Sequence, residues 1–164
     1  MEAGDCHAFC HIGYYYYEGT YEFPRDCTKA VELWHRAGER GSATSYFNIG
    51  SVYYNGAGVT VDKKKGVHYM ELAAMMGCAS ARYKLGAEEE NKGNMDRAIK
   101  HYMIAVESGH SNSLTVIREL YADKYATKED YANALRARQT HLNDIKSEQR
   151  DNAAAGRANC KYID

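Results

Sequence analysis

The first residues able to do chemistry are Cys6, His7, Cys10 and His11, two thiols and two imidazoles close together in the chain. Their i, i+4 spacing would suit a helical zinc site, and a thiol beside an imidazole is the couple of a nucleophilic enzyme. Helical register works against both. Cys6 and Cys10 fall on one stripe and His7 and His11 on the neighbouring sector, so four ligands do not converge on one ion. On an apolar stripe, cysteine acts as a small hydrophobe. His35, His68, His101, His110 and His141 are of the type used in acid-base catalysis, yet they occupy no common register. No serine stands in a nucleophile elbow. Gly56-Ala57-Gly58 lacks the preceding strand and third glycine of a phosphate loop and reads as a turn. Lys63-Lys64-Lys65 opens a helix, where cations oppose the dipole and Asp62 offsets part of that cost. That run and Glu88-Glu89-Glu90 read as solvated faces. No catalytic residue, metal ligand or cofactor is assigned.

The elements that would position any site come from a repeat. Gly4, Gly41, Gly77 and Gly109 recur, as do Ile12-Gly13, Ile49-Gly50 and Leu85-Gly86, and Tyr16-Tyr17 returns as Tyr53-Tyr54. Trp34, Met70 and Tyr102 correspond, followed by Ala37, Ala73 and Ala105. Such a period marks a solenoid of helix pairs. First helices are expected over about Cys6 to Tyr17, Ala43 to Asn55 and Ala79 to Asn91, and second helices over Cys27 to Arg40, Lys63 to Met76 and Met95 to Ser108. Glycine costs about 1 kcal/mol inside a helix, so its return at Gly13, Gly50 and Gly86 implies close approach of a partner helix. Asp26, Asp62 and Asn94 are expected to cap the second helices. The third turn, Gly93-Asn94, is shorter than the others.

After Gly109 the pattern weakens. His110 to Ala122 forms another first helix, but Arg118 replaces the small residue and leaves one face free. Thr127 and Asp130 make a variant capping box. Tyr131, Leu135, Leu142 and Ile145 then keep an approximate heptad spacing to about Arg150. The array is read over residues 1–150, in units of about 4–40, 41–76, 77–108 and a degenerate 109–150. Residues 151–164 form a frayed helix or tail, in which Tyr162 and Ile163 could dock.

These residues resemble the Sel1-like repeats, cousins of the tetratricopeptide repeats. Ile49-Gly50, Tyr53-Tyr54, Gly56-Ala57-Gly58-Val59, Asp62, Lys65 and Ala73-Ala74 follow that motif closely. Gly19-Thr20-Tyr21 departs from its Gly-x-Gly, and Gly66 stands where alanine is usual. The style of Ala126 to Ala132 is similar to repeat proteins of unicellular algae such as diatoms, in whose relatives a RING-like segment can precede the repeats; no such segment is visible here. The resemblance implies an all-α, right-handed α/α superhelix with a long C-terminal capping helix. It also implies an adaptor in multiprotein assemblies, rarely an enzyme.

Composition agrees with an interaction module. Charged residues make up 26% and sum to −1, which gives no field for nucleic acid. The lack of long apolar runs argues against membrane insertion. Met1 is followed by Glu2 and Asp5, so no secretory signal is expected. The odd count of 5 cysteines points to free thiols in the cytoplasm or another reducing compartment, an organelle included. The compositional anomaly is 15 tyrosines. By analogy with the tetratricopeptide arrangement, an inner wall of first helices carries His7, Tyr14, Tyr17, Ser51, Tyr54, Asn55, Glu90 and Asn91. This wall is the expected surface for a protein or peptide partner, since aromatics are enriched in interfaces. A structural subunit of a larger organellar or ubiquitin-ligase-type complex is one alternative. A small thiol-dependent enzyme using Cys6 or Cys10 is another.

Overall fold

The computed structural model describes residues 4–160, with the side chains of 6–152. It is an all-α solenoid of helix pairs with a long helix at its C-terminal end. Gly4–Glu18 (α1) packs on Cys27–Gly38 (α2), Ala43–Asn55 (α3) on Lys63–Met75 (α4), and Ala79–Asn91 (α5) on Met95–Glu107 (α6). Each second helix also packs on the first helix of the next unit. Ser111–Ala122 (α7) and Lys128–Cys160 (α8) complete the order, and α8 lies across both α6 and α7. No helix among the described residues is long and apolar enough to cross a membrane. Tyr162 and Ile163 lie outside the described residues.

The three helical glycines do what their recurrence implied. A Cβ on Gly13 would lie 2.7 Å from Trp34 Nε1, one on Gly50 2.8 Å from Gly66 O, and one on Gly86 2.8 Å from the Tyr102 ring. The side chains thus admitted, Trp34, Met70 and Tyr102, are buried to 1%, 4% and 1% exposure, each worth about 1.5–3 kcal/mol of burial. Trp34 Nε1 donates to Cys10 O at 3.1 Å, so the indole is satisfied inside the core.

The joints between units share one closure. Gly41, Gly77 and Gly109 take left-handed φ of 97°, 87° and 86°, a region that favours glycine. The next amide in each case reaches back to a helical carbonyl: Ser42 to Ala37 O at 3.0 Å, Cys78 to Ala73 O at 3.0 Å, and His110 to Ala105 O at 2.8 Å. The residue that follows inside the next helix is small and fully buried at Ser45, Ala81 and Ser113. Ser45 bonds to Ser42 Oγ and Ser113 to His110 Nδ1, both at 2.9 Å, so the two buried hydroxyls have partners.

One expectation needs correction, the cap at Asn94. Asp26 and Asp62 cap through bonds of 2.9 Å from Lys29 N and Lys65 N, but Asn94 makes no cap bond. Its amide donates to Glu89 at 3.0 Å instead, because the short turn brings that carboxylate within reach. The last helix runs on to Cys160, through the start of the stretch expected as a frayed helix or tail. Along it Ala134 is fully buried, Tyr131 packs on the core and Leu142 is half-buried, while Leu135 is 45% and Ile145 38% exposed. The box at Thr127 is as expected: Asp130 N donates to Thr127 Oγ1 at 3.1 Å, and Thr127 N to Asp130 at 2.9 Å. Arg118 is exposed.

Candidate functional site

The residues expected on the first-helix wall divide into two groups. His7, Tyr14, Asn55 and Asn91 are exposed, Tyr14 to 50%. Asn55 and Asn91 are equivalent, the last residues of α3 and α5. Tyr17, Ser51, Tyr54 and Glu90 are half-buried; the last three are hydrogen-bonded within the chain and Tyr17 makes a ring contact. Tyr17 lies against Trp34 with ring centroids 5.6 Å apart, and the Ser51 hydroxyl donates to Phe47 O at 2.9 Å. Tyr54 donates to Glu88 at 2.5 Å, tying α3 to α5 across the joint. Glu90 accepts from the Tyr102 hydroxyl at 2.7 Å. The bond to Glu88 and then burial push the Tyr54 hydroxyl pKa up, while burial and then Glu90 do the same for Tyr102.

Of the two charge runs read as solvated faces, the lysines are exposed, with contacts to tyrosine rings, and the glutamates are not. The Glu88-Glu89-Glu90 run is half-buried: Glu88 and Glu89 also pair with Lys92 at 3.5 and 3.1 Å. Of the lysines, Lys65 lies 3.9 Å from the centre of the Tyr53 ring and Lys63 5.3 Å from that of Tyr54. Lys29 over Tyr16, at 4.3 Å, repeats the Lys65 contact one unit earlier. Cys6 is buried at 8% exposure while His7 and His11 are exposed, as their register implied. Among the described residues no three His, Cys, Asp or Glu side chains come together as metal ligands.

The joints themselves differ in chemistry, and sequence reasoning missed this. Three equivalent positions meet at each joint: one on a second helix, and one on each helix of the following unit. Between the first two units they are His35, Tyr46 and Tyr69. Tyr69 stacks with Tyr46 at 6.1 Å and meets His35 edge-on at 5.2 Å, with its hydroxyl 3.3 Å from His35 Nε2. Between the third unit and α7–α8 they are Met103, Leu114 and Ala134, all within one apolar core. Between the second and third units they are Glu71, Arg82 and His101. There a cleft of about 360 Å³ opens between α4, α5 and α6. Burial and then Arg82 lower the His101 pKa, so the imidazole is held toward its neutral form. The signal lay in the repeat register, which carries an aromatic set into a charged one.

A family model described as the Sel1 repeat matches residues 10–42, 43–78 and 79–110. Chitin synthase regulatory factor 4 of Schizosaccharomyces pombe is 28% identical over 112 residues, 68% of this chain and 18% of that protein. A Sel1 repeat protein from Oxalobacter formigenes superposes with a TM-score of 0.72 at 28% identity, covering 83% of this chain and 59% of that one. A protective antigen of uropathogenic Escherichia coli displaying an SLR fold gives 0.68 at 27%, covering 82% and 31%. This chain thus spans less than two thirds of each of these relatives. With three matched repeats, buried glycine contacts at equivalent places and the same closure at each joint, the chain belongs to the Sel1 repeat family.

Proposed function

We propose that the array is a non-catalytic scaffold that binds a peptide or protein partner along the concave face of its first helices. The observation that carries this reading is a set of exposed residues which the repeat packing does not use: Tyr14, Asn55 and Asn91. Tyrosine offers rigid contact area with a polar tip, and the two amides offer a donor and an acceptor each. His7 extends the surface along α1. Ser51, Tyr54 and Glu90 shape it from beneath through their internal hydrogen bonds, and Tyr17 through its contact with Trp34. A relative named as a regulatory factor supports a role without catalysis. The free thiols of Cys10, Cys27 and Cys78 suit a reducing compartment, cytoplasmic or organellar.

The test is peptide-display selection on the wild-type chain, followed by affinity measurement on a Tyr14→Ser, Asn55→Asp, Asn91→Asp variant. Selected peptides should bind the variant about tenfold or more weakly, equivalent to about 1.4 kcal/mol. Equal binding by a folded variant overturns the reading.

A further inference from the structure

The cleft between α4, α5 and α6 combines an opening with polar atoms that the chain itself leaves unsatisfied. Arg82 Nε and His101 Nδ1 are both buried and have no hydrogen-bond partner. Buried polar groups are ordinarily paired, and each exception calls for an explanation. The equivalent atoms at the preceding joint pose no such problem, because Tyr46 stacks on Tyr69 and Tyr69 reaches His35. Local consistency within a repeat is broken most often where something other than folding is served.

The charges in the cleft select the ligand. Glu88 is engaged by Tyr54 and Lys92, and Glu89 by Lys92, Asn94 and Arg97 at 3.1, 3.0 and 3.6 Å. Arg82 makes no ion pair among the described residues. A cationic ligand would meet its unpaired guanidinium, and a neutral apolar one would leave both buried nitrogens unsatisfied. A carboxylate entering the cleft would supply acceptors for both as the two side chains turn to meet it, with the His101 proton on Nδ1, in the planar geometry that guanidinium groups favour. Val67, Met75 and Leu85 line the same cleft and offer an apolar wall to the carbons beside that carboxylate. Exposed Glu71 at the same cleft repels every acid, and a run of acids more than a single one, so among acids an isolated carboxylate placed against Arg82 fits best.

We propose that this cleft binds a single carboxylate of a protein partner, an acidic side chain or a chain terminus, received by Arg82 and His101 with its neighbouring carbons against Val67, Met75 and Leu85. The site is separate from the first-helix surface and does not rest on it.

The test is a titration of the full chain followed by ¹H–¹⁵N NMR at Arg82 Nε–H, the His101 ring and the amides of α4 to α6. Three probes are used: N-acetyl-glutamate methylamide, N-acetyl-leucine, and the neutral N-acetyl-leucine methylamide. Saturable shifts confined to the cleft are expected from one or both acids and not from the neutral amide. The glutamate probe alone identifies an acidic side chain as the occupant, and N-acetyl-leucine alone a chain terminus. Arg82→Gln should weaken binding about tenfold or more. Met75→Glu, at a position 79% exposed and so harmless to folding, should weaken it too by placing a carboxylate at the mouth. Arg82→Tyr with His101→Tyr imports two residues of the preceding joint; it should abolish the amide shifts while the melting temperature holds or rises. The proposal is overturned if the acids give no saturable shift, if the neutral amide shifts the same signals equally, or if Arg82→Gln binds as wild type does.

Discussion

Replacing Gly50 with alanine sets two physical effects against each other and lets the sign of the result decide between them. Intrinsic helix propensity favours alanine by about 1 kcal/mol. The packing opposes it. The new Cβ would lie 2.8 Å from Gly66 O, 2.9 Å from Met70 Cγ and 3.1 Å from Met70 N. Two of those atoms are backbone, so α3 and α4 must separate, and overpacking of this kind costs about 1–3 kcal/mol. Weighing that range against the propensity gain, we expect Gly50→Ala to lose up to about 2 kcal/mol, which lowers the melting temperature by up to about 8 °C for a domain of this size. Gly86→Ala meets the Tyr102 ring, which is buried and held by its bond to Glu90, and should also destabilise. Urea unfolding followed by far-ultraviolet circular dichroism measures the difference. Fluorescence of the single tryptophan, Trp34, should give a coincident midpoint, which is required before free energies are compared. A gain of about 1 kcal/mol in Gly50→Ala would falsify the close-approach reading of the recurrent glycines.

Two further outcomes follow from the same geometry. Burial lowers the pKa of His35, His101 and His110, helped by Lys65 at His35 and by Arg82 at His101, with Glu39 opposing at His35 and Glu89 at His101. Each folded-state value lies below the unfolded value of about 6.5, so the native state binds fewer protons, and the stabilisation present above about pH 6.5 is lost as pH falls through the lowered values. Ring-proton NMR should place all three below 6.5, and the urea midpoint should drop between about pH 7.5 and about pH 5.5; an unchanged or higher midpoint contradicts this. Asp62→Ala and Thr127→Ala should each cost about 1 kcal/mol through loss of a cap, and Asn94→Ala less than about 0.5 kcal/mol. Equal losses at all three positions would show that the missing cap bond at Asn94 does not matter.

What the sequence made legible was whatever the repeat sampled more than once. Gly13, Gly50 and Gly86 opposite Trp34, Met70 and Tyr102 could be read because three units state the same steric requirement. The acidic run could not. Nothing local indicates that Glu88 takes the hydroxyl of Tyr54 from another helix and Glu90 that of Tyr102, so three adjacent carboxylates resemble a solvated face. The heptad spacing on α8 does not tell which of its members are covered. This helix packs across α6 and α7, where Ala134 is buried and Tyr131 packs on the core while Leu135 stays exposed. Of the wall residues, Tyr54 and Glu90 were singled out for contact with a partner, but their polar groups are engaged within the chain, a role that depends on pairing across helices. Glu71 and Arg82 carry no local signal, and His101 reads only as one of five scattered histidines, because the three sit on separate helices and meet only when the units are stacked.

The turn of the second unit carries one more consequence. It runs back far enough that a side chain built on Gly58 would collide with Cys27 Sγ at 2.2 Å, so this turn rests on the start of α2 in the preceding unit. The third unit's shorter turn has no such reach, and a side chain on Gly93 would meet nothing within 4 Å. The first joint is thus braced at two places. The second relies on the packing of α4 against α5 and the Tyr54–Glu88 bond. The two joints are thus held by different means, the first by a turn folded back on its neighbour and the second by a hydroxyl–carboxylate bond between first helices, and the cleft with Arg82 and His101 lies beside the joint that lacks the turn brace.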